Sequence, residues 1–418
     1  MIRKPIFLLL ALMSLFFGCT QKELDDTGIS APDTGDVPVT FLAAANSQTR
    51  GTSMSGTLNE DASFRVYATK QRKEGNDLVD QPTYYIRGTG DDDIVTYQRI
   101  AVTGPEQYRW VWKTARDYFW PQENYFVQFY AVHPATAPVI SDILTDKSFS
   151  YTSENPIDGN HDLMWATAAT TREKKGDGSF KDPNDKTNAT VSLQFHHVFS
   201  QIVFYGKLSQ QFKDFGWTIE VENINICNVN SVGKGTFVPD TDLLKAASFE
   251  FEANSPAVLR NYQMAMNTGH LTVNNITVAT DSNGKDIPLT SPTDVTMLMP
   301  QTINPWDIAS EQNGTDSPNT QNGYLSISLR IIDNNGENPV YPLKSDGSYV
   351  TVYVPFSSYA ENATASPWLA GQLYKYTLTF GAGYSAAGNP VIQPIKIEAA
   401  IAPWSETEVS GTIKRRNE

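Results

Sequence analysis

The chain contains little cysteine and little histidine. Only two of its 418 residues are cysteine, Cys19 and Cys227, so a modification of Cys19 would exclude any disulfide within the chain. Stability must then come from apolar cores, with Cys227 as a small buried residue on a strand. The histidines are His133, His161, His196, His197 and His270, and their spacing matches no metal site. We therefore expect no metal and no cofactor.

Short motifs of catalysis and nucleotide binding are also absent. The sequence has no Gly-x-Ser-x-Gly and no recognisable Cys–His pairing, and "NVNSVGKGT" (228–236) lacks the Gly-Lys-Ser/Thr ending of a phosphate loop. The acidic run Asp91, Asp92 and Asp93 favours a solvated loop over an incidental calcium site. Because no nucleophile or acid/base pair can be identified, a hydrolase is disfavoured and the sequence predicts a protein that is not an enzyme.

Positive charge is scarce. The formal net charge is −14, and loss of residues 1–18 would remove Arg3 and Lys4 and leave −16. No basic patch remains that could hold a polyanion. Nucleic acid is therefore excluded as a partner.

No apolar run is long enough for a finished membrane-spanning helix. The longest, residues 6–17, follows Arg3 and Lys4 and ends at Gly18-Cys19. A charged, an apolar and a small-residue region in this order indicate a secretory signal. A cysteine directly after the small residue is the bacterial lipoprotein arrangement, in which the thiol is lipidated. We interpret residues 1–18 as a lipoprotein signal peptide and Cys19 as the lipidation site; a plain secretory signal is the alternative.

Residues 19–36 form an acidic tether. Glu23, Asp25 and Asp26 lie close behind Cys19. This arrangement resembles the acidic export signal of some surface lipoproteins. A simple solvated tether is the alternative.

The rest of the chain alternates apolar and polar residues with a period of two, between turn formers such as "DSNGKD". The predicted strands lie at 64–70, 108–114, 125–132, 190–208, 218–226, 271–280, 295–300, 324–333, 349–356, 374–380 and 395–404. One short helix is a candidate at 239–247. The pattern predicts an all-β protein of two tandem antiparallel β-sandwich domains, residues 51–240 and 241–418, the second with a short C-terminal tail.

Several stretches resemble the fimbrillin family, in the order in which that family has them. They are "TRGT" (49–52), "FRVYATK" (64–70), "YFWPQENYFVQFYAVHP" (118–134), "HDLMWATA" (161–168), "VSLQFHHVFSQIVF" (191–204), "INICNVNSVGKGTF" (224–237), "MLMPQ" (297–301), "LAGQLYKYTLTF" (369–380) and "IAPW" (401–404). The resemblance is to the minor-fimbrillin-like lipoproteins that build type V pili in Bacteroidetes-type bacteria. It implies transthyretin-like or immunoglobulin-like sandwiches and a subunit of a cell-surface fimbria that serves adhesion.

The resemblance also implies a maturation step. In such pilins an arginine- or lysine-specific protease cuts a lipidated precursor and releases its first strand, which opens a groove for the strand of another subunit. Here residues 37–50 would be the removable strand and cleavage loop, with Arg50 as the cleavage residue. The side chains on one face of the strand would be Val37, Val39, Phe41 and Ala43. A plain linker arginine is the alternative for Arg50.

The donor strand is less sharply defined. Residues 405–418 alternate weakly at Val409 and Ile413, and we take these two residues as the candidate donor. Because the segment is short, a tip or accessory subunit is favoured over a stalk subunit. The implied partners are other pilin subunits, the outer membrane through the lipid anchor before processing, and a ligand on a host or bacterial surface.

Aromatic residues leave a second function class open. A surface-anchored glycan-binding lipoprotein would share the anchor, the tether and the sandwiches, but would stack sugar rings on exposed aromatic side chains. The tryptophans that decide between the two classes are Trp110, Trp112, Trp120, Trp165, Trp217 and Trp368. We expect Tyr118, Trp120 and Trp404 to be core residues that seal the ends of the domains.

Overall fold

The computed structural model describes residues 38–47, 54–101, 108–121, 125–153, 162–171, 190–267, 276–278, 286–291, 296–311, 314–333, 338–343, 346–358, 367–381, 383–389 and 395–403. Strand accounts for 57% of the structure and helix for 3%, which confirms the all-β prediction. The helix α1 spans Gln210–Phe215, and a single 3₁₀ turn spans Asp91–Asp93.

One large sheet occupies the N-terminal half. Its main path consists of seven strands: β1 (Thr40–Ser47), β3 (Ser63–Glu74), β6 (Ile94–Ala101), β7 (Tyr108–Thr114), β8 (Tyr125–His133), β10 (Met164–Thr171) and β11 (Thr190–His197). Three short strands are attached to it: β2 (Met54–Thr57) on β1, and β4 (Asp77–Leu78) and β5 (Thr83–Ile86) on β3.

This sheet closes on itself. The order β11-β10-β8-β3-β6-β7-β1 is antiparallel at every step, and β1 also pairs with β11. After six antiparallel steps the seventh strand runs in the same direction as the first, so the pairing that completes the ring has to be parallel, as it is. We call this seven-stranded ring the closed sheet and β1 its closing strand.

Alternation along the strands fills the interior of the closed sheet. On β11, Val191, Leu193 and Phe195 point inward and are buried, and they share one apolar cluster with Phe64 of β3 and Phe129 of β8. From its second residue β3 is buried over seven consecutive residues rather than every second one. The reason is that another apolar cluster covers its outer face.

Two further sheets form a sandwich in the C-terminal half. One contains β12 (Ser200–Leu208), β18 (Ile287–Pro288), β19 (Thr296–Leu298), β23 (Gln372–Phe380) and β24 (Lys396–Pro403). The other contains β13 (Thr218–Asn230), β16 (Leu259–Gln263), β17 (Ile276–Val278), β20 (Tyr324–Ile332), β21 (Pro339–Tyr341) and β22 (Val350–Pro355). Both sheets contribute to one apolar core, in which Phe204 and Tyr376 from the first sheet lie with Ile219 and Ile327 from the second.

A small sheet joins the two halves. It consists of β9 (Ser148–Thr152), β14 (Val232–Val238) and β15 (Ser248–Ala253). Phe237 of this sheet packs edge-on against Tyr130 of β8, with the ring centroids 5.2 Å apart. This contact belongs to the apolar cluster that covers the outer face of β3.

The prediction of two antiparallel sandwiches is not confirmed. The N-terminal sheet is closed, and two strand pairs, β1 with β11 and β12 with β23, are parallel. The sheets are also not divided at residue 240, because β12 and β13 lie before it and pair with β23 and β20 after it. Local alternation shows where strands run and which face is buried, but not which distant strand is the partner.

Candidate functional site

The candidate site is the seat of the closing strand. β1 runs parallel to β11 in a ladder from Thr40 opposite Thr190 to Ala45 opposite Phe195. On its other side Phe41 lies opposite Trp112 of β7, and residues 44–47 pair with β2. The strand therefore has a neighbour on both sides and lies within the closed sheet.

Three inward side chains hold β1 in the core. Val39 and Phe41 are each 3% exposed and Ala43 is fully buried, whereas Leu42, which points outward, is 53% exposed. Full burial of a valine or phenylalanine side chain contributes about 1.5–3 kcal/mol. The free energy that these apolar contacts contribute is thus comparable to a substantial part of the free energy of unfolding of a domain.

The ring of Phe41 makes specific contacts in this core. It packs edge-on against Phe64 at 6.1 Å and against Phe129 at 5.9 Å between ring centroids. Edge-to-face pairs of this kind add about 0.5–1.5 kcal/mol beyond the area they bury. Phe41 therefore links β1 to β3 and β8 at the centre of the closed sheet.

Backbone groups outside the ladder also hold the strand. The amide of Val39 donates to the carbonyl of Tyr118 at 2.7 Å, and Pro38 forms a bridge with Phe119. The hydroxyls of Thr40 and Thr190 are hydrogen-bonded at 3.1 Å. The beginning of β1 is thus fixed to the segment that carries Tyr118 and Phe119.

A buried polar network supports that segment. The hydroxyl of Tyr118 donates to the carboxylate of Asp93, which also accepts from the amide of Gly88 at 2.9 Å. The guanidinium of Arg65 donates to the carbonyl of Gly88 at 3.1 Å. Burial, together with the neighbouring carboxylate of Asp93, raises the pKa of Tyr118, so the phenol keeps its proton and acts as the donor.

The interpretation of residues 91–93 as a solvated loop is wrong for Asp93. Asp91 and Asp92 are exposed, but Asp93 is 6% exposed and its carboxylate is used by backbone and side-chain donors. A run of three acidic residues gives no indication of which one turns inward. Asp93 is therefore a residue that supports the seat of β1 and that the sequence pattern does not identify.

The predicted site residues fall into two groups. Val39, Phe41 and Ala43 lie on or next to β1 and face the core. Val37, the predicted lipidation site Cys19, the predicted cleavage residue Arg50 and the candidate donor residues lie outside the described residues, as does Trp404. The donor residues are Val409 and Ile413.

Aromatic side chains are mostly in the cores, as predicted for Tyr118 and Trp120, which are 4% and 3% exposed. Trp112 and Trp368 are also buried, and Trp165 and Trp217 are partly buried. Trp110 differs from these, because 58% of its surface is exposed.

The adjacent histidines have different partners. His196 stacks on Trp165 with the ring centroids 4.8 Å apart, and His197 pairs with Asp162 at 2.9 Å. In the described part of the chain, no group of three His, Cys, Asp or Glu side chains could hold a metal ion. Burial raises the pKa of the Cys227 thiol to about 12, so this thiol is not a reactive nucleophile at neutral pH.

The described residues include no helix long and apolar enough to span a membrane.

The described residues thus form an all-β protein whose N-terminal sheet is closed by β1. The family profile of fimbrillin-like proteins matches residues 49–404, and the chain belongs to this family. The family consists of fimbrial structural and adhesion proteins rather than enzymes. It supports a role as a pilus subunit in adhesion and a location in a cell-surface fimbrium.

Solved structures similar to the chain come from species of Bacteroides and Parabacteroides. A fimbrial protein from Bacteroides vulgatus has 16% sequence identity and a TM-score of 0.45, over 87% of this chain and 99% of that chain. A candidate cell adhesion protein from Parabacteroides distasonis has 11% identity and a TM-score of 0.40, over 88% and 96%. Another from Bacteroides ovatus has 13% identity and a TM-score of 0.39, over 90% and 100%. A comparison with curated protein sequences gave no match.

Proposed function

We propose that the chain is a fimbrial subunit whose closing strand β1 is removed by proteolysis and replaced by a strand from a neighbouring subunit. The observation that carries the proposal is that, among the strands the structure describes, β1 alone joins β7 to β11 and so completes the closed sheet. Its departure would open the sheet at one defined place. The neighbouring strands would keep their remaining partners, β6 and β10.

The opened sheet would be a good acceptor for a strand. β7 and β11 would both present unpaired N–H and C=O groups, which are a template for another strand. Phe64, Phe129 and Trp112 would lose their contacts with β1 and line an apolar groove. A donor with apolar residues at every second position would restore both the ladder and the core.

Cleavage would remove the covalent tie that keeps β1 at the groove. The segment between β1 and β2 contains Arg50, the proposed cleavage residue. While the chain is intact, β1 is tethered and its effective concentration at the groove is high. Once the bond after Arg50 is cut, β1 can leave by dilution, and a donor held in an assembling fibre can take its place.

The remaining parts of the chain fit this sequence of events. Residues 1–18 would direct export, Cys19 would carry the lipid that holds the precursor at the outer membrane, and residues 19–36 would be the acidic tether. Cleavage after Arg50 would separate the subunit from the lipid anchor and from residues 37–50. We propose a tip or accessory position, with a stalk position as the alternative. Val409 and Ile413 remain the candidate donor residues.

The proposal can be tested by limited digestion of the full-length precursor with an arginine-specific protease. We expect one early cut, after Arg50, identified by intact mass and N-terminal sequencing, followed by folded oligomers in size-exclusion chromatography. An Arg50→Ala variant should fold equally well, resist this cut and remain monomeric.

Arg72→Ala provides a matched control, because it removes a half-exposed arginine that lies on β3. It should be cut and should assemble like the wild type. Assembly of Arg50→Ala as readily as the wild type would refute the proposal.

A further inference from the structure

A cleft opens on the closed sheet at the point where β1 and β7 separate. The two strands meet at Phe41 and Trp112, and beyond that pair β1 continues along β2 instead. The resulting cleft has a volume of about 380 Å³. This lies within the range of small-molecule sites, which are concave and mostly apolar and contain a few polar groups.

Trp110 forms an exposed aromatic wall of this cleft. It is 58% exposed, although Trp112, two residues along the same strand, is buried. The ring of Tyr97 stacks against that of Trp110 with the centroids 5.4 Å apart and the planes 19° apart. Tyr97 is itself packed against Trp112 at 5.3 Å, so the stack is supported from the core. The indole ring of Trp110 is therefore a flat apolar surface whose orientation is supported by Tyr97.

Polar groups lie at the edge of the same cleft. Glu60 is exposed and contributes a carboxylate, and the partly buried Thr190 contributes a hydroxyl. The hydroxyl of Thr190 can donate one hydrogen bond and accept two, so its bond to the buried hydroxyl of Thr40 leaves capacity for a ligand. The cleft thus places hydrogen-bonding groups beside an aromatic face.

We propose that this cleft binds a neutral pyranose sugar. The C–H face of a pyranose ring carries partial positive charge and packs on the electron-rich face of an indole. Its equatorial hydroxyls would point sideways, toward donors and acceptors such as Glu60 and Thr190. The carboxylate of Glu60 and the net charge of −14 disfavour acidic sugars.

A protein partner fits this surface less well. A stable protein interface buries about 800 Å² on each side. The exposed large apolar residues that line the cleft are Leu42 and Trp110, which offer much less. Thr40, Phe41 and Leu42 line the cleft and belong to the strand that the proposed processing removes, so sugar binding is proposed for the uncut chain, in which the cleft is complete.

The test is direct binding to the full-length, uncut chain. The probes are the methyl α- and β-glycosides of glucose, galactose, mannose and N-acetylglucosamine, measured by tryptophan fluorescence and saturation-transfer NMR. We expect saturable binding of at least one glycoside. Trp110→Ala should weaken it at least tenfold and Glu60→Gln at least threefold.

Phe215→Ala is the matched control, because Phe215 is 52% exposed and packs against Trp217 at the C-terminal end of α1. It should bind like the wild type.

Trp110→Phe, which keeps an aromatic ring, should fold and retain weakened binding, so it decides the case if Trp110→Ala fails to fold. The proposal is overturned if no glycoside binds saturably or if Trp110→Ala binds as well as the wild type. It is also overturned if Trp110→Ala changes only the self-association of the chain, because the surface would then be a contact between copies.

Discussion

Phe41 lies directly opposite Trp112, at the residue pair that joins β1 to β7. On the other side of β1, the ladder with β11 extends over the whole stretch from Thr40 to Ala45. The attachment of β1 to β7 therefore depends strongly on side-chain packing around Phe41. This makes Phe41 the residue whose removal should loosen the closing strand most.

Phe41→Ala should destabilise the precursor by about 3–5 kcal/mol, the usual cost of a cavity left by a buried phenylalanine. The measurement is the free energy of unfolding from chemical denaturation of the full-length chain. Leu42→Ala is the control, because Leu42 is the next residue on the same strand and is 53% exposed. It should change the stability by less than about 0.5 kcal/mol. Equal effects of the two substitutions would contradict the role of Phe41.

Gly88→Ala should weaken the network that supports the seat of β1. Gly88 has φ +75°, and an added Cβ would lie 2.0 Å from Cδ1 of Tyr67. Left-handed backbone costs a non-glycine residue about 1–2 kcal/mol, and the clash adds about 1–3 kcal/mol.

Gly75→Ala separates these two contributions. Gly75 has φ +60° but an added Cβ would have no atom within 4 Å. It should therefore cost only the backbone contribution, about 1–2 kcal/mol. Thermal unfolding of the two variants measures the difference, and equal losses would show that the packing of Tyr67 against Gly88 contributes nothing.

The precursor should lose stability in alkaline solution. Burial raises the pKa of Tyr67 from 10.0 to about 12. Below pH 10 both folded and unfolded chains keep this proton. As the pH rises from 10 to 12 the unfolded chain ionises first, so the free energy of unfolding falls, by up to about 1.4 kcal/mol per pH unit.

Tyr67→Phe tests this pH dependence. It removes the hydroxyl that accepts from the amide of Ile140 at 3.0 Å, so it should lower the stability by about 1–3 kcal/mol at neutral pH. It should also make the loss of stability between pH 10 and 12 shallower. Denaturation at several pH values checks both, and an unchanged slope would contradict the assignment to Tyr67.

Lipidation should depend on one of the two cysteines. Cys19→Ala should abolish incorporation of a labelled fatty acid in cells, because no thiol would remain at the end of the signal. Cys227→Ala is the control and should be labelled normally, since Cys227 is buried on β13. Equal labelling of Cys19→Ala and the wild type would refute the lipoprotein assignment.

Period-two alternation and aromatic content were sufficient to predict an all-β chain and the burial of Tyr118 and Trp120. They could not predict that β1 pairs with β11, about 150 residues away, or that the pairing is parallel. An alternating strand has the same pattern whether its neighbour is parallel or antiparallel. Closure of the sheet is thus a property of tertiary pairing that local sequence does not carry.

The α-helix observed in the described residues shows how local signals compete. The helix predicted at 239–247 is wrong, because Asp240 and Asp242 accept from the amides of Asp242 and Leu244 and hold the segment in turns. The observed helix α1 has a serine N-cap, Ser209, and a left-handed glycine, Gly216, at its end. Those two residues were the available signal, since both positions are typical of helix ends.

The measurement that tests the central proposal most directly is exchange of the closing strand. A fluorescent peptide of residues 37–50 is added to precursor that has been cut after Arg50, and incorporation into the folded protein is followed by anisotropy and native mass spectrometry. We expect the labelled peptide to replace the original strand in cut protein and not in uncut protein. A peptide with Phe41→Asp should fail to enter, because it would place a charge in the apolar groove. Incorporation of the Phe41→Asp peptide as readily as the wild-type peptide, or no exchange after complete cleavage, would contradict the proposal.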